Sequence, residues 1–83
     1  MYKKQNKLTP VQSFQLFCLE SYRSAKGLSG IKALNDFKQA RVFDLLASGF
    51  EVLHTQSKNY LLAEITEYIN RRHATLSRKH WTY

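Results

Sequence analysis

Thr9, Pro10 and Gln12 open a helix, and no residue that would stop one occurs again before Gly27. A threonine hydroxyl at the cap accepts a bond from an early helical N–H, and proline at the first helical position has its φ already set. Glutamine three residues after the cap returns a bond to the cap's own backbone. A first helix is therefore expected from Pro10. Val11, Phe14, Cys18, Tyr22 and Ala25 follow at three- and four-residue spacing, and Leu16, Phe17 and Leu19 widen the apolar surface. That breadth predicts that this helix is the most buried element. With only three Gly and one Pro among 83 residues, such a chain has few ways to become a many-turned sheet protein.

Gly27 has the character of a left-handed C-cap, Leu28 is placed to fold back onto the helix it ends, and Ser29 can cap the next. The second helix is expected over residues 30–39, with Ile31, Leu34 and Phe37 inward and Lys32, Asn35 and Lys38 outward. Val42, Phe43, Leu45, Leu46, Phe50, Val52 and Leu53 form a dense apolar stretch broken by Gly49, which reads as one or two short helices. After a polar turn at Ser57, Lys58 and Asn59, a long final helix carries Leu61, Leu62, Ile65, Tyr68 and Ile69 at helical spacing. Glu64 and Glu67 take its outer side, and it runs past Arg72 before fraying towards Trp81 and Tyr83. The expected fold is all-α, a compact bundle of four to five helices with a long C-terminal helix. The expected organisation is one helical domain, 9–72, between a basic N-terminal arm, 1–8, and a basic C-terminal extension, 73–83, both partly flexible.

The net charge of +7 is carried entirely by residues 1–8 and 70–83. Lys3, Lys4 and Lys7 lie in the first span and Arg71, Arg72, Arg78 and Lys79 in the second, the two arginines Arg71 and Arg72 closing the helical domain, with no acid in either span. Between them, Glu20, Asp36, Asp44, Glu51, Glu64 and Glu67 balance the basic residues. A neutral body with cationic ends is a different object from a uniformly basic protein.

Cys18 is alone, so no internal disulfide can form, and its apolar helical setting suits a small buried hydrophobe in a reducing, cytoplasmic compartment. No apolar run approaches the roughly 18 residues needed to span a bilayer, and the N-terminus lacks the apolar core of a signal peptide. His73 and His80 are seven residues apart, about 10.5 Å along a straight helix, too far to share a metal whose ligands sit about 2 Å away. No metal or cofactor is expected. Cys18 with His54 is the one nucleophile–base pair worth naming, yet both sit in apolar contexts without a local motif, and no glycine-rich phosphate loop occurs. The chain reads as a non-enzyme.

Two binding roles remain. In the first, Lys3, Lys4, Lys7, Arg71, Arg72, Arg78 and Lys79 neutralise phosphates while Trp81 stacks on bases. A helix-turn-helix on the Gly27–Gly30 turn fits poorly, because the would-be recognition helix presents Asp36 beside Lys32 and Asn35. In the second, some of the aromatic residues exceed what one small core encloses, and a protein partner or a second copy of the chain covers them. Phe17, Tyr22, Phe43, Phe50, His54, Tyr60 and Tyr68 are the candidates.

Phe17-Cys18-Leu19-Glu20 with Tyr22, then Leu28-Ser29-Gly30, Phe37 and Leu45, then Leu53-His54-Thr55-Gln56 followed by Ile65, Tyr68 and Ile69 make a recognisable series. It resembles a family of small, uncharacterised, helical bacterial proteins sharing FCLESY-, LSG- and LHTQ-like stretches, over residues 11–72. The resemblance implies no catalytic residues. It implies a place beside small genes that include predicted ADP-ribosyltransferase-like toxins, and so an antitoxin or accessory partner role. His54, in the LHTQ-like stretch, is expected to bond a backbone group after the third helix.

Overall fold

The computed structural model describes residues 8–81, with side chains placed as far as His73. Five helices follow one another: α1 (Pro10–Lys26), α2 (Gly30–Ala40), α3 (Val42–Ser48), α4 (Phe50–Leu53) and α5 (Lys58–Trp81). There is no strand among the described residues, so the all-α expectation holds. The start of α1 is the capping box read from sequence. Gln12 N–H donates to Thr9 Oγ1 at 3.1 Å, and Thr9 N–H donates to Gln12 Oε1 at 3.0 Å.

Gly27 ends α1 at φ 64°. Its N–H donates to Ser24 O at 3.2 Å and that of Leu28 donates to Arg23 O at 3.0 Å, the paired bonds of a Schellman turn. Leu28 then packs against the core. The Ser29 hydroxyl accepts from Lys32 N–H at 3.1 Å and starts α2. The apolar segment after α2 is two helices, divided at Gly49. A side chain at Gly49 would set its Cβ 2.9 Å from Leu53 Cδ1 and 3.2 Å from Leu45 O, so the α3–α4 corner is tight and a larger residue there would have to displace the end of Leu53.

Phe37, Leu46, Ile65, Val42 and Cys18 are the largest fully buried side chains. Three helices thus converge on α2, with α5 contributing Leu61, Ile65 and Ile69. Two expectations need correction here. The first helix is not the most buried element: α1 buries only Cys18, Ser21 and Tyr22 of 17 residues, while α2 buries Ala33, Asp36, Phe37 and Ala40 of 11. The inward stripe of α2 is also not Ile31, Leu34 and Phe37. It is Ala33, Phe37 and Ala40, because α2 sits in the middle and its neighbours approach closely only over small side chains. Ile31 is 73% exposed and Leu34 37%.

A third feature is a strained junction. Arg41 joins α2 to α3 in the left-handed region at φ 61°, a conformation costing about 1–2 kcal/mol for a residue with a Cβ. Its side chain lies in solvent, paired with Asp44 at 2.9 Å, and exposed pairs of this kind return little. Arg41→Gly is therefore expected to raise stability by about 0.5–1 kcal/mol. An urea midpoint unchanged or lowered would show that the junction is not strained.

Candidate interaction surface

The body holds one polar knot. Tyr22 reaches from α1 to α2 and its hydroxyl donates to Asp36 Oδ2 at 2.8 Å. Lys32, one turn before Asp36, donates to Oδ1 at 2.7 Å. Asp36 is 5% exposed, which corrects the expectation that it stands on the outer side of this helix. Burial by itself would raise the Asp36 carboxyl. The hydrogen bonds from Lys32 and Tyr22, with the charges of Lys32 and His73, outweigh it and hold the group below the usual carboxylate range. Tyr22 moves the other way, pushed up to about 12 by burial and by the carboxylate it faces.

A carboxyl that binds its proton more weakly in the folded state adds stability that is complete above the unfolded value near about 4. That stability is lost as pH falls through the lower folded value. The urea midpoint is therefore expected to drop between about pH 5 and about pH 3, and Asp36→Asn to remove part of that drop. An identical acid slope in the variant would mean that Asp36 is not the group responsible.

The residues anticipated at a partner surface divide three ways. Tyr22 is buried and 5.3 Å from Phe37, ring centroid to ring centroid, so it is part of the core and offers nothing to a partner. Phe43, Phe50 and Tyr68 are half-buried. Phe43 meets Phe37 edge-on at 5.3 Å, and Phe50 meets Phe14 edge-on at 5.6 Å. Phe43 and Tyr68 pack against the core and Phe50 packs against Phe14, and all three keep part of their surface in solvent. Phe17 and Tyr60, 48% and 46% exposed, are the two Phe or Tyr rings among the described residues that stand outside. Sequence periodicity missed Ile31, Leu34 and Val52, the last 65% exposed. The available signal was the Ala33–Phe37–Ala40 spacing, which marks an alternative inner stripe on α2.

His54 behaves as expected of a capping ring. Its Nδ1 is 2.6 Å from Phe50 O, and the ring stacks on Phe50 at 4.4 Å. Cys18 is 1% exposed, and burial pushes its thiol up to about 11. The two share no hydrogen bond among the described residues. Among those residues, too, no three metal-ligating side chains gather in one place.

Of the cationic candidates, Arg71 and Arg72 are exposed on α5. The Arg72 guanidinium lies over the Tyr68 ring at 5.4 Å, which orders it without consuming its charge. Lys3, Lys4 and Lys7 lie outside the described residues, as do the side chains of Arg78, Lys79 and Trp81. An open groove of about 420 Å³ runs between α1 and α5 over Ala25, Lys26, Leu62 and Thr66. No described helix is long and apolar enough to cross a membrane.

These features define a small all-α domain with a well-knit centre and large apolar side chains left on its outside. The chain belongs to the family described as "Protein of unknown function (DUF3791)", whose model matches residues 13–72. That span lies within the 11–72 over which the sequence resembles small uncharacterised proteins. No curated protein and no solved structure matches the chain.

Proposed function

We propose that this domain is a non-enzymatic protein–protein interaction module, the antitoxin or accessory partner in a bacterial, cytoplasmic two-gene system of toxin–antitoxin type. The observation that carries this reading is the outer surface: Ile31, Val52, Leu16, Phe17 and Tyr60 are all exposed by nearly half or more in one 83-residue chain. Large apolar side chains left outside a folded body suit a surface that a partner covers. The FCLESY-, LSG- and LHTQ-like stretches and the gene neighbours they imply point to the same role. In such a complex the basic ends steer encounter.

The test is capture by the tagged full chain from nuclease-treated lysate of its native host, read by mass spectrometry. One stoichiometric protein, retained when salt is raised to about 0.5 M, is the expected result, since apolar contacts are not screened. Complete dissociation at that salt would overturn the reading. A second reading is nucleic-acid binding, favoured by the clustering of all net charge in the ends, Arg71 and Arg72 among them. It requires affinity that falls steeply with salt and that vanishes when the end lysines and arginines are replaced by glutamine.

A further inference from the structure

α2 has two apolar faces, and the body uses one of them. Ala33, Phe37 and Ala40 are fully buried, while Ile31 is the most exposed large apolar side chain of the described residues. Ile31, Leu34 and Lys38 stand at i, i+3 and i+7, so they form one line along the helix, which Arg41 prolongs. The line covers roughly 15 Å of surface, about three turns. At its C-terminal end it opens into a groove of about 300 Å³ lined by Phe37, Lys38, Arg41, Phe43 and Asp44.

The charge on this face is a cationic excess, with Lys38 and Arg41 standing against the single carboxylate of Asp44. The ion pairs among the described residues are Arg23 with Glu20, Lys32 with Asp36 and Arg41 with Asp44, and Lys38 takes part in none of them. Arg41 spends Nε and one terminal nitrogen on Asp44, which leaves further N–H donors of its planar fork pointing outward. One end of the face is therefore apolar, and the other is a groove beside Phe43 in which Asp44 answers Arg41 and Lys38 is the cation outside the described ion pairs. A second copy laid on it face to face, α2 against α2, would bring Lys38 and Arg41 against the same cations or against Ile31. A nucleic acid would set phosphates on Ile31 and Leu34. Both mismatches cost desolvation or repulsion without return.

We propose that the α2 face made by Ile31, Leu34, Lys38 and Arg41, with its Phe37–Phe43 groove, docks an acidic amphipathic helix of a partner protein. Apolar side chains of that helix cover Ile31 and Leu34 and enter the groove, and its carboxylates pair with Lys38 and Arg41. The assignment rests on the interaction-module reading, to which it adds the partner's chemistry and its place of attachment.

The probe is a synthetic amphipathic peptide of about 18 residues, with leucine along one face and glutamate on the other. Its counterpart carries lysine at every glutamate position. Each is titrated into the isotope-labelled full chain, and backbone amide shifts are followed. The acidic peptide is expected to move the resonances of Ile31, Leu34, Lys38, Arg41 and Phe43, and the lysine peptide is not. Ile31→Glu and Lys38→Glu are each expected to weaken binding about tenfold. Both positions are exposed, so the fold is kept, with the urea midpoint of Lys38→Glu lowered slightly by a negative charge in the last turn of α2. The proposal is overturned by shifts centred on Phe17 or Tyr60, by equal binding of the two peptides, or by concentration-dependent shifts of the same face in the protein alone, the sign of a second copy. The capture experiment separates the two levels of inference. A partner that still binds the Ile31→Glu, Lys38→Glu double variant removes this face and leaves the interaction role standing. A wild-type chain that captures no protein, yet binds the acidic peptide as described, removes the role and leaves the face.

Discussion

Truncating Phe37 to alanine is expected to destabilise the domain by about 3–5 kcal/mol. Phe37 is 0% exposed and lies between two other rings, with centroids 5.3 Å from both Tyr22 and Phe43. Its removal opens a cavity bordered by α1 and α3, and the rigid backbone of a central helix has little freedom to collapse into the space. A chain of 83 residues has only about 4–12 kcal/mol of total stability on ordinary per-residue grounds. The variant should therefore be largely unfolded in urea concentrations that leave the wild type intact, as read by far-ultraviolet circular dichroism. A loss under about 1 kcal/mol would mean that α2 is not the central helix.

The second large effect concerns the polar knot. Asp36→Ala leaves the buried Tyr22 hydroxyl without its acceptor, while Lys32, with 56% of its side chain exposed, returns to water at little cost. The expected loss is about 2–3 kcal/mol, because an orphaned buried hydroxyl cannot recover what it lost on desolvation. Tyr22→Phe is expected to cost less, about 1–2 kcal/mol, since Asp36 keeps its bond from Lys32. Combining the two changes should cost less than the sum of the singles by about 1 kcal/mol, because the second change removes the group that the first had stranded. Strict additivity in denaturant midpoints would mean that Tyr22 and Asp36 do not share a hydrogen bond.

Much of the helical frame was legible because its signals are local. The capping box at Thr9 and Gln12, the Schellman turn at Gly27 and Leu28, and the Ser29 cap each depend on residues within one turn of one another, and the structure forms all three. The interior of α2 was not legible. Ile31, Leu34 and Phe37 are as periodic as Ala33, Phe37 and Ala40, and hydropathy alone prefers the bulkier set. What decides between them is how closely α1, α3 and α5 approach, which favours alanine and which no single helix encodes. Asp36 was misplaced for the same reason. Its burial depends on a phenol 14 positions away, and that partnership exists only after α1 and α2 have packed. The surface candidates inherited this ambiguity: Tyr22, read as available, became core, while Ile31 and Leu34, read as core, became surface.

The lone cysteine provides a built-in stopwatch. Cys18 is 1% exposed, with its thiol held protonated well above neutral pH, so an alkylating reagent meets no reactive sulfur until the four-helix centre comes apart. Once it does, the unfolded thiol returns to ordinary acidity and reacts. When closing outruns alkylation, the labelling rate divided by that of a free thiol gives the open fraction directly. Every substitution discussed above leaves this sulfur in place, so one chemical reaction, followed by mass, can rank them all without denaturant.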